Sequence, residues 1–497
     1  MLLSLVIFLP LVGTLVLYLV PPVYARWVGV GTSALVLVLA IVLAVQFDWR
    51  SGVAQLGVSV PWIPSIGASY TVAVDGLSLP LVLLTALLTF LALLYSWKQD
   101  QRPREFFALF LVMELGCIGF FSTLDLLLFY FFFEISLVPM YFIIGVWGHE
   151  RRREAAIKFF LYTRVGSLAI LLAILGLYLA VQPHTFSLPV IIAAHPFPGA
   201  ETLPSLILLG FFLGFAIKLP IFPLHSWLPD AHTEAPTGGS VILAGVLLKM
   251  GGYGFLRVAL PTVPGAMHAW ALPIALLAVV SAIYGAVVAM AQTDLKRLIA
   301  FTSVNHMGYV LLGVAVAAAA TNPADRTVGA VGATYQMVAH GLVTSGLFLL
   351  VGMLADRTGT REISGLKGIW SALPLYGGLF TLMAFASLGL PALAQFAAEV
   401  QIVLGAVGAF PGVAVAMLVG VFVTTALFLW TMQRILAGAT PPEWAHLPRI
   451  SVRELIVLAP LVALIVLLGI LPGPLSTAIA GALHNSLLGP LPITGTH

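Results

Sequence analysis

Four ionisable residues stand well inside apolar runs of this chain: Glu134, Lys218, Lys249 and Glu399. A charge at the centre of a membrane span costs about 2.5 to 3.5 kcal/mol on insertion scales, so such a residue has a partner or a task. Carboxylates and amines held in one apolar slab are suited to proton transfer, because a buried lysine keeps or gives up its proton according to whether a carboxylate stands beside it. Glu134 and Lys218 are candidates for such a switch. Pro139, five residues after Glu134, and Pro220, two after Lys218, each remove a helix hydrogen bond and free carbonyl oxygens near the charge. His306 in SVNHMGYVLLG and His340 in YQMVAHGLVTSG lie in apolar stretches between the lysines and Glu399 in chain order. A lone intramembrane histidine most simply ties two helices together. Two of them in that interval also suit a relay, since imidazole titrates near neutral pH and exchanges protons at either nitrogen. Asn305, Tyr335, Gln336 and Thr344 are placed to order water around them.

Other residues of chemical interest read more simply. Glu114, Asp125 and Arg164 fall near span ends and suit structural ion pairs or snorkelling. His225, Asp230, His232 and Glu234 are metal-ligand types, but they occupy a proline-rich stretch with no fixed helical face, so no metal site is expected. Gly251, Gly252 and Gly254 lack the context of a phosphate loop and suit close helix packing. The run Phe129 to Phe133, with Tyr130 inside it, surrounds its helix and suits lipid or helix packing. Cys117 is the only cysteine, which excludes an internal disulfide and leaves no iron–sulfur, haem or zinc motif.

The elements that must hold these residues are membrane spans. Of 497 residues 61% are hydrophobic and only 8% charged, with a mean hydropathy of +1.09, far from the roughly 25% charged residues of soluble proteins. The apolar runs are too long for barrel strands, so the expected class is an all-α polytopic membrane protein with fourteen transmembrane helices. Leu2 to Val20 reads as a retained first span, with no basic residue ahead of it and no cleavage signal. With the N-terminus outside, the loops of one face carry sixteen of the 22 Lys and Arg residues. The other face has Arg50, Arg257 and Arg326, while Arg164, Lys218 and Lys249 lie within spans. That asymmetry follows the positive-inside rule and places both termini on the outer side of the membrane. The small net charge of +3 and its loop distribution argue against nucleic-acid binding.

Two spans are broken. The seventh, near 203–221, reads GFAIKLPIFPLHSW, and the twelfth, near 373–407, is interrupted at Gly389, Leu390 and Pro391 within AFASLGLPALAQFAAE. Each has Leu-Pro at the break and an ionisable residue nearby, the sequence pointer to an ion site in transporters. Residues 1–105 hold helices 1 to 3, 106–260 a first repeat (helices 4 to 8), 270–436 a second (helices 9 to 13), and 437–497 helix 14 and the tail. Five-span repeats have inverted topology.

The segments FFFEISLVPMYFIIGVWG (131 to 148), AIKLPIFPLHSWLPDAHTEAPTGGSVILAGVLLKMGGYG (216 to 254), LIAFTSVNHMGYVLLG (298 to 313) and YQMVAHGLVTSGLFLLVGML (335 to 354) resemble the antiporter-like proton-pumping subunits of respiratory complex I. The resemblance runs over essentially the whole chain. It implies fourteen helices in two inverted five-helix repeats, with a hydrated polar axis along the middle of the membrane. Glu134, Lys218, Lys249, His306 and His340 match axis positions of that family, and Glu399 stands where the L- and N-type relatives usually place lysine. The chain also ends without the long lateral helix of the L type. By the same resemblance, NADH, FMN, iron–sulfur clusters and quinone belong to partner subunits, this chain carries no cofactor, and its partners are other membrane-arm subunits and lipids. Two other readings stand beside it. A subunit of a multisubunit cation/proton antiporter, or of a related membrane-bound redox complex, would share the Glu134 and Lys218 signatures, and a scaffold would use the buried charges only to hold helices together.

Overall fold

The computed structural model describes residues 1–444 and 446–488. It opens with α1 (Leu2–Leu19) and α2 (Ala25–Gln46), then a two-stranded antiparallel hairpin, β1 (Gln55–Ile63) and β2 (Ala68–Val74). The hairpin corrects the all-α expectation. Its strands carry the β-branched Val58, Val60, Ile63, Thr71, Val72 and Val74, and Gly67 takes the left-handed conformation the turn requires (φ 65°). Four helices follow, α3 (Leu79–Tyr95), α4 (Pro103–Ser122), α5 (Leu126–Trp147) and α6 (Arg152–Ala180), then the short α7 (Leu188–Ala194). Asp125 caps α5: its Oδ1 accepts from the Leu127 and Leu128 amides, while Oδ2 accepts from the Ser69 amide, tying the cap to the hairpin.

The broken seventh span is two helices. α8 (Thr202–Lys218) ends on the lysine, a non-helical link covers 219–226, and α9 (Trp227–Glu234) follows, so the proline-rich stretch is partly helical. A continuous apolar helix then runs from Thr237 to Thr262 as α10 (Thr237–Ile242), α11 (Lys249–Gly254) and α12 (Leu260–Thr262), joined by π turns at Leu243–Leu247 and Phe255–Ala259. Next come α13 (Pro264–Met290), α14 (Leu295–Ala319) and α15 (Pro323–Thr358). After the short α16 (Ile369–Ala372), the twelfth span divides into α17 (Pro374–Ser387) and α18 (Ala394–Ala409), with Gly389 and Ala392 at positive φ in the break. The chain continues with α19 (Pro411–Leu436), α20 (Val452–Ile470) and α21 (Gly473–Leu488), the last a helix where only a tail was expected.

Among the described residues, twelve helices are long and apolar enough to cross a membrane, and the shorter apolar α8, α17 and α18 occupy the two broken stretches. Burial sorts the spans. The Thr237–Thr262 helix, α14 and α15 are enclosed completely, whereas α1, α2 and α20 leave most of their apolar surface outward, as lipid-facing helices do. The three enclosed helices pack on one another and carry Lys249, His306 and His340. Gly251 makes the packing possible: a Cβ there would lie 2.5 Å from the Phe215 carbonyl oxygen and 2.7 Å from the Leu219 amide, at the very end of α8.

Candidate functional site

Lys249 sits at the first turn of α11, between the two π turns, where irregular helix geometry marks functional positions. Its Nζ bonds the Ala244 carbonyl within its own helix and lies 2.7 Å from Nδ1 of His340 on α15. The His340 ring is 5.5 Å, centroid to centroid, from the ring of His306 on α14. His306 Nδ1 is 2.8 Å from the Gln395 amide nitrogen and 3.6 Å from Glu399 Oε1, and its Nε2 is 3.2 Å from the Ser387 hydroxyl. Gln395 donates to Glu399 Oε1 at 3.1 Å and to the Ser387 carbonyl at 2.8 Å. Four of the six candidate residues thus form one buried polar line, Lys249, His340, His306 and Glu399, with Gln395 bridging its far end. A line of groups that each accept or donate a proton, cut off from lipid, supports proton hopping rather than binding of a bulky substrate.

The twelfth-span break builds that far end. Glu399 stands on α18 with Gln395 one turn earlier on the same face, and the link turns back so that Ser387, the last residue of α17, reaches His306. Gly389 cannot carry a side chain, since a Cβ would sit 2.7 Å from Glu399 Oε2 and its φ is +79°. The two breaks are not copies in detail, because Lys218 closes the half-helix before its break and Glu399 rides on the half-helix after it.

Lys218 and Glu134 are arranged differently from the pairing the sequence suggests. The Glu134 carboxylate accepts from Arg164 Nη1 at 2.6 Å, and this α5–α6 pair lies on a face where the Arg164 side chain is 42% exposed. Lys218 is buried, with Nζ 5.0 Å from the centroid of the Phe133 ring and 5.9 Å from that of Phe159, and with no hydrogen-bond acceptor among the described residues. Part of the aromatic run at Phe129 to Phe133 therefore serves the lysine directly. Both carboxylate oxygens of Glu114 are likewise buried without a partner.

Of the residues expected to order water, Gln336 and Thr344 remain buried with free polar atoms. Asn305 and Tyr335 do not join the line: the Asn305 amide donates to the Ala282 carbonyl and its oxygen accepts from Thr424, while the Tyr335 hydroxyl donates to the Leu468 carbonyl. Gln395 and Ser387 were not foreseen. Their signal was their position, flanking a helix break four and twelve residues before a buried glutamate. Arg257, counted from the sequence as an outer-face charge, is buried in a π turn with its Nη2 2.6 Å from Asp75 Oδ1.

The sequence signature described as "NADH:quinone oxidoreductase/Mrp antiporter, TM" matches residues 123–428, which span well over half the chain and contain all six candidate residues. The chain belongs to this family. It is 41% identical over 479 residues to NADH-quinone oxidoreductase subunit M of Escherichia coli K12, covering 93% of this chain and 92% of the relative. A chain of the structure "Respiratory complex I from Thermus thermophilus with bound NADH" superposes with a TM-score of 0.87 at 34% identity, covering 98% of this chain and all of that one. The Mrp complex from Dietzia sp. DQ12-45-1b contains the same fold, with a TM-score of 0.83 at 23% identity over 98% of this chain and 52% of that one. Members of the family thus share one antiporter-like membrane fold.

Proposed function

We propose that the chain is the M-type proton-translocating subunit of a bacterial respiratory complex I, the relative of mitochondrial chain 4, set in the inner membrane with both termini outside. Electron transfer from NADH to quinone takes place on partner subunits, which carry the FMN, the iron–sulfur clusters and the quinone site. Its energy reaches this chain at the Glu134 and Lys218 end, and a proton passes through Lys249, His340 and His306 to Glu399. The observation that carries the reading is the buried line of polar side chains that runs from the Lys249 amine through the neighbouring His340 and His306 rings to the Glu399 carboxylate. The name of the E. coli relative supports it, as does Glu399 in place of lysine.

Counting the two broken stretches with the twelve long helices makes fourteen spans, and residues 106–260 and 270–436 are the inverted repeats. The half-exposed Arg164 with Glu134 marks the flank that meets a neighbouring L- or N-type subunit, since a charged pair facing acyl chains is costly. Lys218→Met in the assembled complex is expected to abolish proton translocation by this subunit while assembly survives, measured as the proton-to-electron ratio in vesicles. A normal ratio would overturn the central claim. Glu399→Gln tests the exit end in the same assay. Because the Mrp complex contains the same fold, sodium-dependent transport without redox turnover would favour the antiporter reading instead.

A further inference from the structure

Glu114 takes no part in the polar line. It stands near the middle of α4, in the run FLVMELGCIGFF, and its side chain is enclosed with both carboxylate oxygens unpartnered among the described residues. The structural ion pair expected of it is not made. Its neighbours follow from how α4 meets α5: the two helices run antiparallel, and a Cβ would come within 2.4 Å of the Phe132 ring at Gly119 and within 2.9 Å of the Ser136 amide at Gly116. Extending that register puts Glu114 about one helical turn from the level of Glu134.

The face of α4 that carries Glu114 leads to Lys218. Glu114, Cys117 and Phe120 recur at every third position, so they form one row along the helix. The Phe120 ring packs 5.8 Å, centroid to centroid, from that of Phe133, and the Lys218 amine lies 5.0 Å from the Phe133 centroid. The Cys117 thiol, in the middle of the row, is within electrostatic reach of both Glu114 and Lys218. Three groups with free polar atoms therefore converge on one buried place: the Glu114 carboxyl, the Lys218 amine and Oε1 of Glu134, whose Oε2 is held by Arg164. A buried ammonium and a buried carboxylate without partners are each costly, and a proton passed from one to the other leaves both neutral. Two such groups, set beside one thiol, are fitted for that exchange.

We propose that Glu114 is a second carboxyl partner of Lys218, the group with which the lysine exchanges its proton while Glu134 is held by Arg164. In that state the proton leaves the Lys218 ammonium for the Glu114 carboxylate, past the Cys117 thiol, and a neutral amine and a neutral carboxylic acid remain. When Glu134 turns from Arg164 to Lys218, the proton returns from Glu114 to the amine, which then faces the Glu134 carboxylate. The same proton moves both ways, so no other reactant is needed. The assignment rests on the proton-translocation reading above and adds to it the residue that stores the proton of Lys218.

The test uses the assembled complex in vesicles, reading the proton-to-electron ratio beside the rate of quinone reduction. Glu114→Gln keeps the shape of a protonated acid and exchanges no proton; the ratio is expected to fall to that of Lys218→Met with quinone reduction retained. A wild-type ratio in Glu114→Gln, with a lowered one in Lys218→Met, overturns the role of Glu114 and leaves the translocation reading standing. A wild-type ratio in Lys218→Met overturns that reading itself. Glu114→Asp keeps a carboxyl at the site and decides the matter even where the glutamine variant does not assemble. Infrared difference spectra between resting and turning-over complex should contain a carboxylic acid C=O band that moves in Glu114→Asp and is lost in Lys218→Met, a response that a purely structural glutamate would not give. A spectrum unmoved by Glu114→Asp overturns the exchange.

Discussion

Gln395 offers two N–H groups to a crowd of acceptors: the Glu399 carboxylate, the Ser387 carbonyl and the His306 ring all lie within 3.2 Å of its amide nitrogen. When His306 takes a proton its nitrogens stop accepting, and the amide is free to serve Glu399 alone. Gln395→Leu should therefore cost about 1.5 to 3 kcal/mol in the His306-to-Glu399 step, roughly one to two orders of magnitude in that transfer equilibrium. It would appear as a lowered proton-to-electron ratio with quinone reduction retained, and a wild-type ratio would remove Gln395 from the line. A second residue reports on pH. Burial, with the cations Lys296 and Arg361, holds the His149 imidazole down to about 4 in the folded chain, against about 6.5 when unfolded. The folded value is the lower one, so this contribution to stability is present above about pH 6.5 and is lost as pH falls through about 4. His149→Asn should flatten the decline of the unfolding temperature over that window in detergent; an unaltered slope would refute the assignment.

At the level of elements, the Thr237–Thr262 helix shows how backbone irregularity serves a side chain. Two π turns bracket Lys249, and the glycine two residues on lets α11 press against the end of α8 where Lys218 stands. Gly251→Val would drive its side chain into the Phe215 carbonyl and the Leu219 amide, backbone groups that cannot step aside. Overpacking of that kind costs about 1 to 3 kcal/mol, so both the thermal stability and the proton yield of the variant should fall. Gly378→Ala in α17 meets nothing within 4 Å and is the control, expected to be neutral or slightly stabilising. Equal loss in both variants would show that the α8 contact does not set the result. The breaks themselves were legible in the Pro and Gly punctuation. The hairpin at Gln55–Ile63 and Ala68–Val74 was not, because a short alternation of valine, serine and threonine between long spans is hard to tell from a loop.

For the molecule as a whole, Asp75 and Arg257 tie the segment after the hairpin to the second π turn, with both side chains buried. Removing one partner of such a pair leaves an uncompensated charge and costs about 3 to 5 kcal/mol, whereas replacing both by apolar residues is often nearly neutral. Asp75→Leu should thus lower the unfolding midpoint of the purified chain markedly, and Asp75→Leu with Arg257→Met should recover most of it. No recovery in the double variant would mean that the pair does more than lock the fold.

What could be read from the chain alone was the membrane, the broken spans and the identity of the charges buried in it. Transfer into a bilayer is costed residue by residue, so each of Glu134, Lys218, Lys249 and Glu399 announced itself by its neighbours in sequence. Which of them touch was decided by tertiary structure. Contacts between residues such as Lys249 and His340, 91 positions apart, depend on how each helix is rotated and how deeply it packs, and no local pattern encodes that. Packing joined Lys249 to His340, gave Glu134 to Arg164, left Lys218 against Phe133, and brought in Gln395 and Ser387, whose contacts exist only through their neighbours in space.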